Sequence, residues 1–370
     1  MFANLLTKLF CIIFFPIVLL SSCAWNQKRM FDETVDTDLT ESFKIEEDQF
    51  NKFKIVKEDV EKEVEEEIKV KVKTKKITQA KIVARPSTKI NQSKKIIKKK
   101  IVATKVTSEM ASTKKYAYPK DYPEVFKEYD KKSIAVWRQF KSVYKVGETF
   151  VFKISYIGVT AGHVSMEIKP LVTLAGKKAF HFKAKLTSAD FYKYIYALDD
   201  VIESYVATDT FLPIKYSLVQ RESGKNVDDL QLFDHEQLKT FIWYKRDKKG
   251  KITNRKKSAF IPRFMQDSFS SLFFVRGLPM QIGNIYEFPV VTRGKIWTLK
   301  MQVESLEKVK IMGAEIKAIK VRAETRFPGI LKKKGEIVFW YSADSDKRLL
   351  KFSAKIKIGS IAGELIHYKR

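Results

Sequence analysis

Apolar and polar residues alternate along most of the chain beyond about residue 140. Phe150, Phe152, Ile154 and Tyr156 alternate with Val151, Lys153 and Ser155, the period of a strand with one buried face. Val164, Met166 and Ile168 then alternate with His163, Ser165 and Glu167, and Gly158, Ala161 and Gly162 lie between the two runs. This predicts a β-hairpin over Gly147–Ile168. The same period returns in 179–188, 200–209, 211–222, 228–234 and 238–246, and in six further segments from NIYEFPVV to SIAGELIHYK. About a dozen strands at short, regular spacing predict an all-β domain over 141–370: a large antiparallel curled sheet or open barrel. Two segments break the period. Ser188–Leu198 is an aromatic-rich connector. Phe264–Arg276 carries apolar residues at Phe269, Leu272, Phe273 and Val275, with Asp267 able to cap its start, and predicts one short covering helix.

The first 118 residues read differently. A short region with Lys8 precedes an apolar run from Leu9 to Leu20, too short for the ~20 residues of a spanning helix and suited to an export signal over 1–22. Leu20-Ser21-Ser22-Cys23 resembles the bacterial lipobox. The resemblance implies cleavage before Cys23, lipid attachment at Cys23 and, with Ala24 following, sorting to the outer membrane from its periplasmic side. Residues 23–118 are acidic from Asp32 to Glu67 and then basic. Between Lys69 and Lys115 stand 16 Lys/Arg against Glu109 alone, a large share of the net charge of +28. Without aromatics until Tyr116, the 69–115 tract cannot bury enough surface to offset ordering entropy, and 23–118 is expected to be a disordered charged tether. Val56, Val60, Val64, Ile68 and Val72 recur every four residues, a winding stripe that supports at most a transient helix. Residues 119–140 form a transition with a short helix at EVFKEYDKK.

Charge points to anionic envelope polymers or lipids as partners, besides the membrane reached through the N-terminal lipid. Nucleic acid is not expected, because single-strand binders interleave aromatics that this basic tract lacks. Cys11 and Cys23 are the only cysteines, so no disulfide or thiolate metal site is expected downstream.

Several long segments resemble a known family. SYIGVTAG (Ser155–Gly162), DDVIESYVATDTFLPIKY (Asp199–Tyr216), DSFSSLFFVRGLPMQIGNIYEFPV (Asp267–Val290) and Gly329–Leu365 are similar to the exported bacterial domain of unknown function 3108. The resemblance covers about 140–370. It implies an exported, antiparallel β-rich domain and no particular activity.

Catalytic chemistry is sparse. His163, His181, His235 and His367 show no metal-ligand spacing, and neither a nucleophile elbow nor a phosphate loop is present, so no cofactor is expected. Asp199, Asp200 and Glu203 cluster, but Asp200 and Glu203 differ by an odd number and should face opposite sides of a strand. Trp243, Trp297, Trp340, Phe152, Phe241 and Phe339 either fill a core or line a cavity for an apolar ligand. Arg221 and Arg276 are candidates to meet an anionic head group beside Trp243 and Trp340. Three functional readings follow. The leading one is a non-enzymatic envelope lipoprotein that binds or scaffolds a lipid-like or glycan component. The others are a polymer hydrolase using Asp200 or Glu203, and a structural tether to peptidoglycan through the Lys tract.

Overall fold

In the computed structural model, which describes residues 39–57, 117–326, 336–355 and 359–370, the alternating segments form one antiparallel sheet. In chain order come helices α1 (Leu39–Ser42) and α2 (Glu47–Lys52), strand β1 (Val56–Lys57) and helix α3 (Glu124–Trp137). Strands β2 (Thr149–Tyr156), β3 (Val159–Leu174) and β4 (Lys177–Ser188) lead to helix α4 (Asp190–Lys193). Next are β5 (Asp199–Ala207), β6 (Pro213–Glu222), β7 (Lys225–Asp234), β8 (Lys239–Lys248), β9 (Lys251–Phe260) and helix α5 (Ser270–Gly277). The chain ends with β10 (Ile285–Thr292), β11 (Lys295–Ile311), β12 (Ala314–Arg326), β13 (Glu336–Ser342), β14 (Leu349–Lys355) and β15 (Ser360–Lys369).

Strands β2–β9 form one meander and β10–β15 a second. The two join where the last strand pairs with the first, with Leu365 opposite Phe152. The expected hairpin is present, and Phe150 faces Met166 across it. Its turn is Ile157–Gly158, both with positive φ. Ala175–Gly176, Lys249–Gly250, Arg293–Gly294 and Met312–Gly313 repeat that geometry. Such two-residue turns match the right-handed twist of paired strands. Gly162 has another role: a Cβ there would lie 2.3 Å from the Thr187 carbonyl oxygen of the next strand.

Strands β9 and β10 are the two edges and do not pair with each other. The connection between them runs inside, with α3 beside it. Trp137 of α3 lies 4.3 Å from Phe274 of α5, centroid to centroid. Phe140 stacks on Phe274 at 5.0 Å, and Phe182 of β4 stacks on Phe273 at 3.9 Å. These rings belong to one continuous core lined by both meanders. Two helices therefore cover the inner side where one was expected. Helix α3 runs through SIAVW because Asp130, Ser133, Val136 and Trp137 share one buried stripe. Helix α5 starts later than expected. Before it, Gln266 pairs with the β10 edge, donating to Pro289 O at 3.0 Å and accepting from Val291 N at 2.8 Å, which holds that segment extended.

Strand β9, KITNRKKSAF, is exposed on both faces along most of its length, so it carries no alternation and escapes a periodicity reading.

Part of the stretch expected to be tether is folded. Leu39 and Phe53 are buried in a second cluster on the outer side of the sheet, with Val172, Tyr205, Leu230, Leu232 and Trp243. Lys52 pairs with Asp234 (2.9 Å) and Glu236 (2.8 Å), Glu46 with Lys256 (2.7 Å), and Lys215 donates to Thr40 at 2.9 Å. Strand β1 adds to β3, Val56 opposite Thr173. The remainder of 23–118, with Cys23 and the Lys tract, lies outside the described residues, except Ala117 and Tyr118. Phe53→Ala should free this strap: truncating a fully buried Phe costs about 3–5 kcal/mol where it is anchored. Limited proteolysis read by mass spectrometry should show faster cleavage within 39–57, while the main thermal transition of the sheet stays near that of the parent.

Candidate functional site

The inner side of β5–β7 carries polar residues where the rest of the core is aromatic. Asp200, Gln220, Glu222, Asp229 and Gln231 are all buried there. The Gln220 amide bridges two carboxylates, donating from Nε2 to Asp200 at 3.0 Å and to Glu222 at 2.9 Å. The Arg221 backbone N–H donates to the other Asp200 oxygen at 3.0 Å. Tyr196, from the connector after β4, donates to Glu222 at 2.8 Å, and Lys225 pairs with Glu222. Burial raises the Asp200 pKa to about 7; the facing Glu222 adds to the rise, while Gln220 and the Arg221 amide oppose it.

A second node lies on the same strands. The turn between β10 and β11 places Arg293 against Asp229. Its backbone N–H donates to Gln231 at 2.6 Å, and its guanidinium sits 4.3 Å over the Tyr244 ring. A hairpin from the second meander is thereby latched to the first, across the gap between the edges. Asp267 forms a third node. Its Oδ1 accepts from Phe269 N (2.7 Å) and Ser270 N (2.8 Å), the capping expected of it, and burial pushes its carboxyl up.

The residues singled out in the sequence do not converge. Arg276 is buried and clamps Glu148 through two bonds of 2.8 and 2.9 Å, while its Nε donates to Asp346 O at 2.8 Å. Tyr368 donates to the same Glu148 at 2.9 Å. This buried pair ties α5 to the first and last strands of the domain and leaves no guanidinium face for a ligand. Arg221 lies near the rim, paired with Asp228 at 2.7 Å. Trp243 and Phe241 belong to the outer cluster under the strap. Trp340 faces away from Phe339 and Tyr341 along β13, its indole N–H donating to Glu307 at 2.9 Å. Phe152, Trp297 and Phe339 pack in the inner core. The six aromatics thus lie on both sides of the sheet, and those on the inner side fill it.

The parity argument for the carboxylates holds. Asp200 shares the inner side with Ile202, whereas Glu203 pairs with His181 (3.1 Å) and Lys183 (3.5 Å) on the side of Tyr205. Burial acts to raise the Glu203 pKa, but the hydrogen bonds and charge supplied by His181 and Lys183 together lower it. Asp199 is largely exposed, with Lys185 at 3.7 Å. Asp200 and Glu203 therefore do not share one side of the sheet. The histidines are dispersed, and burial drives His235 down to about 4. Among the described residues no cluster of His, Cys, Asp and Glu is arranged to hold a metal ion.

Sequence reasoning singled out Asp200 and missed Gln220, Glu222, Asp229 and Arg293. One signal was available: polar residues at alternate positions in strands whose other inward residues are apolar. Two outcomes follow. Arg276→Ala strands a buried carboxylate and should destabilise the domain by about 3–5 kcal/mol in urea unfolding, much of it recovered when Glu148→Leu accompanies Arg276→Met. Asp200 has a folded pKa above its ordinary value of 3.8, so its contribution is complete below that value and is lost as pH rises through about 7. Unfolding curves at pH 5 and pH 8 should show Asp200→Asn losing less stability across that interval than the parent.

Comparison with known proteins adds the following. No curated protein sequence matches the chain. Among solved structures, a β-barrel-like protein of domain of unknown function DUF1849 from Brucella abortus aligns at 13% identity, covering 60% of this chain and 97% of its own, with a TM-score of 0.39. A protein titled as a candidate lipoprotein from Parabacteroides distasonis aligns at 11% identity, over 62% of this chain and 99% of its own, with a TM-score of 0.29. One titled as a candidate exported protein with a YmcC-like fold, from Bacteroides fragilis, aligns at 9% identity, over 63% and 100%, with a TM-score of 0.29. Residues 151–366, from β2 into β15, match the family described as protein of unknown function (DUF3108), and the chain belongs to that family.

Proposed function

We propose that this chain is a lipid-anchored protein of the bacterial cell envelope whose β domain is a non-enzymatic scaffold. The observation that carries this reading is the filled inner side. Helices α3 and α5 occupy the place where a carried ligand or a substrate would sit, and the titratable groups beneath them are committed to internal pairs. A lipid or glycan held in the concavity would have to displace Trp137, Phe273 and Phe274, so binding is assigned to the outer surfaces. The hydrolase reading loses its carboxylate pair to the two sides of β5.

Cys23 is the proposed lipid-attachment residue, with the outer membrane as the destination and anionic envelope polymer or lipid as partners. Two or three acyl chains at ~0.8 kcal/mol per buried methylene make a near-permanent anchor. The strap changes what that anchor does. The described residues begin at Leu39, sixteen positions after Cys23, a stretch that can span at most ~55 Å. The body is held near the membrane. In sequence the Lys tract lies between strand β1 and helix α3, so in this reading it is an insertion in the domain and not the link to Cys23. Cells fed radiolabelled palmitate should label the parent protein and leave a Cys23→Ala version unlabelled and released from the membrane fraction. Equal label in both would overturn the anchor.

A further inference from the structure

The antiparallel meander sends every second connection to the same end of the sheet. One end gathers the turns 157–158, 189–198, 223–224, 249–250 and 293–294, with Gly359 beside them. Five large apolar side chains stand exposed there: Ile157 (61%), Val159 (53%), Phe191 (58%), Tyr194 (93%) and Ile195 (45%). They belong to two neighbouring segments, the tip of the β2–β3 hairpin and the β4–β5 connector. The β4–β5 connector is held beside the β2–β3 hairpin by Ala189 N donating to Ala161 O at 3.0 Å.

Ile157 makes this arrangement difficult to attribute to chance. Its φ is +47°, a left-handed conformation that a β-branched side chain resists and that Asn or Gly adopts readily. The neighbouring turn accommodates it: a Cβ at Gly359 would lie 2.9 Å from Ile157 Cγ1. Of the five X-Gly turns named above, this one alone places a β-branched residue at the left-handed position, and its side chain is exposed.

Charge divides the two ends. Around the turns 223–224, 249–250 and 293–294 stand Lys248, Lys249, Lys251 and Lys295 against Asp247, while Lys225 and Arg293 are taken up by the buried Glu222 and Asp229. At the opposite end Val146, Ile282, Ile285 and Met312 are also exposed, but there acids and bases are mixed: Asp209, Glu236, Asp344 and Asp346 stand with Lys177, Lys178, Lys347 and Arg348. Among the described residues the first end combines apolar tips with an excess of lysine. The connector reads FYKYIY over Phe191–Tyr196, an interleaving of aromatic, aliphatic and Lys side chains suited to the water–lipid boundary.

We propose that this end of the sheet docks on an anionic lipid bilayer, with Ile157, Phe191 and Tyr194 entering the headgroup region and the lysine flank facing lipid phosphates. A bilayer suits exposed side chains spread over two connections, since it needs no preformed matching cleft. The contact is independent of a lipid on Cys23.

The test uses the full chain with Cys11→Ser and Cys23→Ser, which separates it from the anchoring proposal. An environment-sensitive NBD label is placed at Tyr194→Cys or, at the opposite end, at Met312→Cys. On vesicles of phosphatidylglycerol and phosphatidylethanolamine, the label at 194 should shift to the blue and be quenched by brominated acyl chains, and the label at 312 should do neither. On phosphatidylcholine alone the shift at 194 should fall several-fold. Ile157→Asn with Phe191→Ser should remove most of it; Asn suits the turn, so this variant keeps its fold. Equal responses at 194 and 312, or no response at 194 on anionic vesicles, overturns the proposal. So does a photo-crosslinker at 194 that captures one discrete envelope protein without any quenching by lipid.

Discussion

The structure depends on an aromatic plug that completes an unclosed sheet. Fourteen paired strands form a path whose ends, β9 and β10, never meet. A curled sheet left open exposes its inner face to water, and burial of that face must come from elsewhere in the chain. Here it comes from α3, the segment after it and α5. Trp137, Phe140, Phe273 and Phe274 interlock with one another and with Phe182 and Phe211 of the first meander. Gly277 permits the closeness: a Cβ at that position would lie 2.2 Å from the Phe140 ring. Removing a buried ring from such a contact leaves a void the rigid sheet cannot collapse around.

Polar interactions act where the plug ends. Arg276 and Glu148 staple α5 to the first strand, and Tyr368 brings the last strand to the same carboxylate. Arg293 latches the second meander to Asp229 of the first. The bridge through Gln220 seals the inner side near the β4–β5 connector. Each is a buried charge or carboxylate with its hydrogen bonds satisfied, the condition under which burial is tolerated. Burial raises the pKa of both Asp200 and Asp229, and each carboxyl is held in an internal pair or bridge.

The strap alters how the protein is pictured in its envelope. An acidic-then-basic stretch suggests one long leash. Leu39 and Phe53 instead cover an apolar strip on the outer side of the sheet, so part of that stretch belongs to the folded body. Under the proposed anchoring at Cys23, a second, weaker contact through the domain's own surface would gain from its raised local concentration at the bilayer.

Much of this was legible in the chain. The alternation in Phe150–Tyr156 and Val164–Ile168, the X-Gly turns, the capping Asp267 and the opposite facing of Asp200 and Glu203 all follow from local periodicity, which backbone geometry imposes within a few residues. Strand β9 was not legible, because an edge exposed on both faces has no buried side to impose a pattern. Nor was the strap, since Leu39 and Phe53 are isolated apolar residues until Trp243 and Leu230 stand opposite them. The sequence by itself determined which segments are strands and which of their faces are apolar. Tertiary structure decided which arginine is clamped, which tryptophans share a side, and which turns share an end, because those depend on contacts between residues 100 or more positions apart, as with Arg276 and Glu148 at a separation of 128.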